Sequence, residues 1–211
     1  MQHEGARDRA YGQEYRPTLI DRCGVWLSSA QIRRQVPSFR GKRIGDFGCG
    51  YHAAISRPLL DQVASALLLD VAVAADLKAH PRVRVIEGVL PAALDRIDSA
   101  CLDIVFCLSV LEHLWDPLEA LRQFHRMAAD RGVCLFNVPS WRGKRFLEFS
   151  AFRLGLSPTL EMDDHKMYYD VRDFWPLLVR AGFIPHNIRC FPHKFGLNTF
   201  AVCGVDKTRS V

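Results

Sequence analysis

The chain has 211 residues, of which 49% are hydrophobic and 24% charged, and its formal net charge is +5. This length suits one globular domain with a sizeable core, and the ordinary composition argues against a disordered or a membrane-embedded chain. The first nine residues carry charge where a secretory signal needs an apolar run, so we expect a cytoplasmic protein. The mild positive charge permits a polyanionic partner but does not require one.

The first 40 residues are predicted to form a helical extension in front of a single domain over residues 41–211. One helix is expected between Thr18 and Gln35. The sequence does not decide whether this helix covers a ligand or contacts a second subunit, and it leaves the oligomeric state open.

Residues 41–138 alternate strand-like apolar runs with helix-like runs and with turns rich in glycine or aspartate, and this alternation predicts a parallel sheet. The clearest helix begins after Asp116, which can cap it, since Pro117 suits the first turn and Glu119 completes a capping-box pattern. The predicted strands lie at 43–47, 66–70, 83–87, 102–108 and 132–138.

Toward the C-terminus, a helix over 173–181 ends at Gly182 and precedes two apolar runs over 183–191 and 199–205. Because only a short connection separates these runs, they must pair as antiparallel strands. Seven cysteines are scattered along the chain without a Cys-x-x-Cys pair or a Cys/His spacing typical of metal sites, so we predict reduced cysteines that pack in the core.

A Gly-x-Gly turn, Gly48-Cys49-Gly50, follows the first predicted strand and precedes a helix-like run. Glycines there let backbone N–H groups approach a ligand closely, and a helix N-terminus favours negative charge. Asp70 ends the second predicted strand, where a carboxylate can accept hydrogen bonds from ribose hydroxyls. These features together predict a site for an adenosine-type ligand.

Two ligand classes fit this site, because Gly48-x-Gly50-x-x-Ala53 also satisfies the dinucleotide fingerprint. Asp46 would place an anion beside a dinucleotide pyrophosphate, whereas it can receive the cationic amino group of a methionine moiety. No tyrosine of the sequence has a lysine four residues on, as the acid of many hydride-transfer enzymes would require. S-adenosylmethionine is therefore favoured, with an NAD-binding Rossmann oxidoreductase as the alternative.

Three parts of the sequence resemble the class I S-adenosylmethionine-dependent methyltransferases, namely Asp46-Phe47-Gly48-Cys49-Gly50, then Asp70, and then the fourth predicted strand running into Leu111-Glu112-His113. The resemblance covers about residues 42–205. It implies an α/β fold, a Rossmann-like three-layer αβα sandwich whose seven-stranded, mostly parallel sheet ends in an antiparallel C-terminal hairpin. It also implies S-adenosyl-L-methionine as the cofactor and methyl transfer as the activity.

Carried over by position, the resemblance implies that Asp46, Gly48, Cys49 and Gly50 hold the methionine end of the cofactor. Asp70 is expected to hold the ribose.

The adenine is expected to rest on apolar contacts from Val71, Val89 and Leu90, because no aspartate stands where the family often has one. The backbone of Cys107 and Leu108 is expected to line the methionine side.

Methyl transfer needs a general base only for some acceptors, and an alcohol or a phenol is one of them because it must lose a proton. His113 follows the fourth strand and is the first catalytic candidate, and His165 in the predicted acceptor-pocket insert at about 140–170 is the second. Each also fits a structural role, as a turn-packing or a solvated histidine. The adjacent Asp163, Asp164 and His165 form too small a ligand set, so we predict no metal.

The stretch 141–154 mixes basic and aromatic residues and could be a lid, a peripheral membrane contact or an ordinary amphipathic helix. A nucleic-acid acceptor is disfavoured because Cys107-Leu108-Ser109-Val110 stands where enzymes that methylate base amino groups carry an Asn/Asp-Pro-Pro-aromatic motif. The resemblance favours a small-molecule or sugar and glycan-intermediate acceptor, with O-methylation slightly preferred. A non-catalytic partner protein with the same fold is a further alternative.

Overall fold

The computed structural model describes residues 9–14, 18–146 and 165–208. It contains seven strands, β1 (Arg43–Phe47), β2 (Ser65–Asp70), β3 (Val83–Glu87), β4 (Leu102–Leu108), β5 (Ala128–Pro139), β6 (Ile188–His193) and β7 (Asn198–Gly204). They form one sheet in the order β3-β2-β1-β4-β5-β7-β6. The first five strands pair in parallel, and β7 lies antiparallel to both β5 and β6. The predicted fold class and the terminal hairpin are confirmed.

The helices are α1 (Leu19–Gln35), α2 (Ala75–Lys78), α3 (Pro117–Met127), α4 (described over 141–146) and α5 (Val171–Arg180). Asp116 caps α3 as predicted, since its carboxylate accepts from the Glu119 N–H at 3.0 Å. The Glu119 side chain turns away from the cap and accepts from Gln123 Nε2 at 2.9 Å. Within the described residues, no helix is both long and apolar enough to cross a membrane.

The prediction of a helix directly after the Gly-x-Gly turn is wrong, because this crossover holds only turns and the short 3₁₀ helix Arg57–Leu59. Pro58 stands inside this stretch and lacks the N–H that a continuing α-helix would use. The strand expected to begin at Phe183 begins instead at Ile188, because Pro185–Asn187 form a 3₁₀ turn before β6. The dipole of an α-helix is therefore not available at the Gly-x-Gly turn.

Two apolar clusters cover the two faces of the sheet. On one face Phe124 of α3 packs on Phe47 of β1 with ring centroids 4.9 Å apart, and α5 closes the same layer. On the other face Ile32 of α1, and Val36 directly after this helix, are buried against strand residues that include Phe106. The N-terminal helix thus contributes to the core.

All seven cysteines are free thiols, which agrees with the predicted reduced state. Three of them, Cys107, Cys134 and Cys203, are fully buried in the sheet. The prediction of core packing is wrong for Cys23, which is exposed on α1.

Candidate active site

The Gly-x-Gly turn joins β1 to the next crossover with a left-handed backbone at both glycines, φ +71° at Gly48 and +72° at Gly50. It is packed from two sides. A Cβ added to Gly48 would lie 2.2 Å from Val110 Cγ2, and one added to Gly50 would lie 3.2 Å from the Tyr11 carbonyl oxygen. The Tyr11 carbonyl also accepts from the Tyr51 N–H at 2.9 Å. The segment 9–14 therefore lies against the turn, a contact that the sequence analysis missed.

The amide groups of this turn bind the end of β2. The N–H groups of Gly48 and Cys49 both donate to the Leu69 carbonyl, at 2.8 and 3.3 Å. The Gly50 N–H donates to Asp70 Oδ2 at 2.8 Å. The glycines thus provide close approach and a left-handed backbone, while their N–H groups stabilise the turn itself.

Asp70 is fixed at the C-terminal end of β2, because its Oδ1 also accepts from the Val71 N–H at 2.8 Å. A carboxylate oxygen can accept more than one hydrogen bond, and hydroxyl groups of a ligand are suitable donors. The Gly88 N–H donates to the Asp70 carbonyl at 3.0 Å, which places Val89 and Leu90 beside the same strand end. Residues at the ends of β2 and β3 therefore border one region.

Asp46 is a buried carboxylate on β1, only 3% exposed, and its Oδ2 accepts from Ser56 Oγ at 2.6 Å. Burial raises the pKa of Asp46 to about 7, the negative charge of Asp70 adds to this rise, and the Ser56 hydrogen bond opposes it. A cationic ligand group would favour the ionised form. Ser56 has no sequence signature that links it to Asp46.

Cys107 and Leu108 end β4, which pairs with β1 in parallel register. The Cys107 side chain is fully buried in the core, so only the backbone of this residue is available to a ligand. Burial raises the pKa of the Cys107 thiol well above its ordinary value, and the charges of Glu112 and Asp46 add to the rise. Both carboxylates therefore lie near the C-terminal end of β4.

Glu112 and His113 stand on the 3₁₀ turn Leu111–His113 that follows β4. His165 joins them in space. The candidate ligand atoms of these three residues all lie within 4.8 Å of one another, and the two imidazole centroids are 4.7 Å apart. Glu112 is 1% exposed. The structure thus unites both predicted catalytic histidines with a glutamate that the sequence analysis noted only within a motif.

Main-chain hydrogen bonds hold His165 in this position. The N–H groups of Lys166 and Met167 both donate to the Glu112 carbonyl, at 2.6 and 3.3 Å. His165 Nδ1 lies 3.1 Å from the hydroxyl oxygen of Tyr168, a residue only 5% exposed. The segment that begins at His165 is therefore attached to the end of β4 by its backbone as well as by its side chains.

Val110 links this cluster to the Gly-x-Gly turn, because it packs on Gly48 and precedes Glu112 by two residues. The intervening backbone is unusual at Ser109, whose φ of +57° is left-handed in a residue with a Cβ. Its N–H donates to the Asn137 carbonyl at 2.7 Å, and its Oγ accepts from Asn137 Nδ2 at 3.2 Å. These bonds hold the turn in the position that brings the cluster beside the Gly-x-Gly turn.

Lys194, in the β6–β7 connection, is a further charged group near this cluster that the sequence analysis missed. Burial lowers the pKa of Lys194, whereas the negative charge of Glu112 raises it. Its Nζ lies 3.6 Å from the position that a Cβ on Gly24 would take, so α1 covers it.

Part of the predicted acceptor-pocket insert lies outside the described residues, including Asp163, Asp164 and most of the stretch 141–154. Its first described turn, α4, is anchored by Trp141, whose Nε1 donates to Asp173 Oδ2 at 3.1 Å. The Trp141 ring also packs near Tyr168, with centroids 5.6 Å apart. The two described ends of the insert therefore meet beside His165.

A family model described as a methyltransferase domain matches residues 17–186. A probable S-adenosylmethionine-dependent methyltransferase of Mycobacterium tuberculosis, Rv3030, is 26% identical over 172 residues. The alignment covers 78% of this chain and 58% of the relative, so the chain spans little more than half the length of that protein.

Solved structures of similar fold include a chain from the Haloferax volcanii complex between the Trm112 methyltransferase activator and a methyltransferase. The match has a TM-score of 0.64 and 14% identity, and it covers 87% of this chain and 91% of that chain. An O-methyltransferase family protein from Burkholderia thailandensis has a TM-score of 0.63 and 14% identity, and the match covers 90% of this chain and 57% of that chain. At these identities the structural matches show a shared fold.

Proposed function

Because the chain belongs to the S-adenosylmethionine-dependent methyltransferase family, we propose that it transfers a methyl group to a hydroxyl oxygen of a small-molecule or glycan-intermediate acceptor. The observation that carries this proposal is the cluster of Glu112, His113 and His165 beside the Gly-x-Gly turn. Attack by a hydroxyl oxygen requires loss of a proton, and this cluster supplies groups that accept one.

The cofactor is assigned to the C-terminal ends of β1, β2 and β4. S-adenosylmethionine supplies a methyl group that its sulfonium already activates. Buried Asp46 receives the positive amino group of the methionine moiety, because the pairing stabilises the ionised carboxylate. The turn Gly48-Cys49-Gly50 allows close approach of the same moiety, and Asp70 accepts from the ribose hydroxyls.

Val71, Val89 and Leu90 provide the apolar surface for the adenine. Val71 follows β2, and Val89 and Leu90 follow β3, so all three stand at neighbouring strand ends. Val89 is 47% exposed and Leu90 packs on the core, which gives one open and one fixed contact. The backbone of Cys107 and Leu108 borders the methionine side.

The acceptor hydroxyl is assigned to the side of His113 and His165. Either imidazole can take up the proton, and the adjacent carboxylate of Glu112 stabilises the resulting imidazolium. The attachment of the His165 segment to the Glu112 carbonyl fixes the distance between the two rings. Positioning of this kind accounts for much of the acceleration expected of a displacement on an activated methyl.

Substitution of the histidines tests the proposal. Formation of S-adenosylhomocysteine should be measured with panels of polyhydroxy, phenolic and amine acceptors, with mass spectrometry to identify the methylated atom. We expect His113→Ala and His165→Ala to lower turnover by about 10²–10⁴-fold with little change in cofactor affinity. His186→Ala, at an exposed turn before β6, is the control and should keep wild-type turnover. Methylation of amine acceptors alone, or full turnover in both variants, would contradict O-methylation at this cluster.

A further inference from the structure

We propose that Glu112, His113 and His165 bind a divalent transition-metal cation, and that this cation coordinates the oxygen atoms of the acceptor. The metal site itself depends only on the described geometry. The second part rests on the proposed function: the histidines act as ligands of the cation, and the bound cation promotes loss of the hydroxyl proton that the uncoordinated histidines would otherwise accept. It also replaces the expectation of no metal, which considered only the adjacent residues at 163–165.

The spacing of the three side chains suits one cation. Their candidate ligand atoms lie within 4.8 Å of one another. Zinc and similar ions bind nitrogen and oxygen at about 2.0–2.2 Å, so two ligands of one ion lie roughly 3–4 Å apart. Small side-chain rotations would bring the ligand atoms to that separation, and the backbone hydrogen bonds already hold the two segments together.

That backbone arrangement is built from both sides. Glu112 and His113 are neighbours on a 3₁₀ turn, and the N–H groups of Lys166 and Met167 donate to the Glu112 carbonyl. The residue that supplies one ligand therefore also holds the segment that supplies another. This connection explains how residues so distant in sequence can form one site.

The Tyr168 hydroxyl provides an independent observation in favour of a metal. A histidine that binds a metal through one ring nitrogen usually hydrogen bonds through the other, which fixes its tautomer and its ring orientation. His165 Nδ1 makes such a contact with buried Tyr168 at 3.1 Å, and in the proposed site Nε2 is the ligand atom. The ring is thus oriented by a group that is not itself a ligand.

The chemistry of the three donors narrows the choice of metal and substrate. Two imidazoles and one carboxylate favour zinc, cobalt, manganese or ferrous iron over magnesium and calcium, which prefer oxygen ligands. Three protein ligands leave coordination positions open. An acceptor hydroxyl with a neighbouring oxygen donor, as in a vicinal diol, can occupy two of them, and coordination lowers the pKa of that hydroxyl. Its proton is then released to solvent.

Cobalt(II) titration tests the metal site without any acceptor. The full chain should be freed of metal with a chelator and titrated with Co²⁺, with visible absorption and calorimetry as readouts. We expect one Co²⁺ per chain, with ligand-field bands that show imidazole coordination. Glu112→Gln and His165→Gln should weaken binding by about 100-fold or more, and Tyr168→Phe by about 10-fold. His186→Ala should bind as wild type does.

Binding of S-adenosylmethionine to each variant shows whether that variant is folded and separates the two proposals. Weak Co²⁺ binding in wild type, equal to that of His165→Gln, would overturn the metal site while cofactor binding persists. Specific Co²⁺ binding without cofactor binding would instead contradict the proposed function. If Glu112→Gln fails to fold, the partly buried His165→Gln and the conservative Tyr168→Phe still decide the question.

Discussion

The buried carboxylate of Asp46 predicts that Asp46→Asn makes the protein more stable at alkaline pH and abolishes cofactor binding. Burial raises the pKa of Asp46 from 3.8 to about 7. Between these values the native state binds more protons than the unfolded state, so the free energy of unfolding falls as pH rises. At about 1.4 kcal/mol per pKa unit, the free energy of unfolding above pH 7 is roughly 4 kcal/mol lower than it is below the unfolded-state pKa.

Urea unfolding of wild type and Asp46→Asn at pH 5 and pH 8 measures this effect. Asparagine keeps an oxygen for the Ser56 hydroxyl but carries no charge, so the variant lacks the pH-dependent loss. We expect the stability of the variant relative to wild type to increase by about 2–3 kcal/mol between the two pH values. Titrating groups that do not interact with Asp46 cancel in this comparison.

Exposed Asp61→Asn is the control for removal of one carboxylate. Its stability relative to wild type, measured at the same two pH values, is the baseline for the comparison. A pH-independent difference between wild type and Asp46→Asn would refute the assignment of a buried, destabilising carboxylate at this position. Unchanged affinity of Asp46→Asn for S-adenosylmethionine would refute its role in binding.

Three further predictions follow from the same contacts. Gly48→Ala should lower the free energy of unfolding by about 2–4 kcal/mol and weaken cofactor binding, because the left-handed backbone is strained and the added Cβ would lie 2.2 Å from Val110 Cγ2. Gly41→Ala, with φ +69° and open space around it, should lower the free energy of unfolding by only about 1 kcal/mol in urea unfolding. Ser56→Ala removes the hydrogen bond that opposes the rise in the pKa of Asp46, so this pKa should rise further. Calorimetry should then show weaker cofactor binding at pH 7 that recovers at pH 9, and pH-independent binding would contradict this. Phe124→Ala should lower the free energy of unfolding by about 3–5 kcal/mol and leave the cofactor affinity of the folded protein unchanged.

The parts of the fold that depend on local pattern could be predicted from the sequence. The five parallel strands, the Asp116 cap and the Gly182 end of α5 each follow from neighbouring residues. The helix after the Gly-x-Gly turn could not be judged from apolar spacing alone, because Pro58 and the tight turns around it override that spacing. Prediction from apolar spacing therefore fails where a single residue, such as Pro58, prevents the backbone from continuing an α-helix.

The contacts that build the site are mostly non-local and left little trace in the sequence. His113 and His165 were identified separately, but their proximity depends on backbone bonds to the Glu112 carbonyl. Likewise nothing in the sequence joins Ser56 to Asp46. Such pairs are set by tertiary packing, which neither periodicity nor motif spacing reports.

Titration calorimetry of the purified chain with S-adenosylmethionine, S-adenosylhomocysteine and NAD, at equal ionic strength, tests the central claim most directly. We predict saturable binding of the first two ligands at one site per chain, loss of that binding in Asp46→Ala, and no binding of NAD. Binding of NAD alone, or equal affinity for S-adenosylmethionine in wild type and Asp46→Ala, would contradict the account of this site.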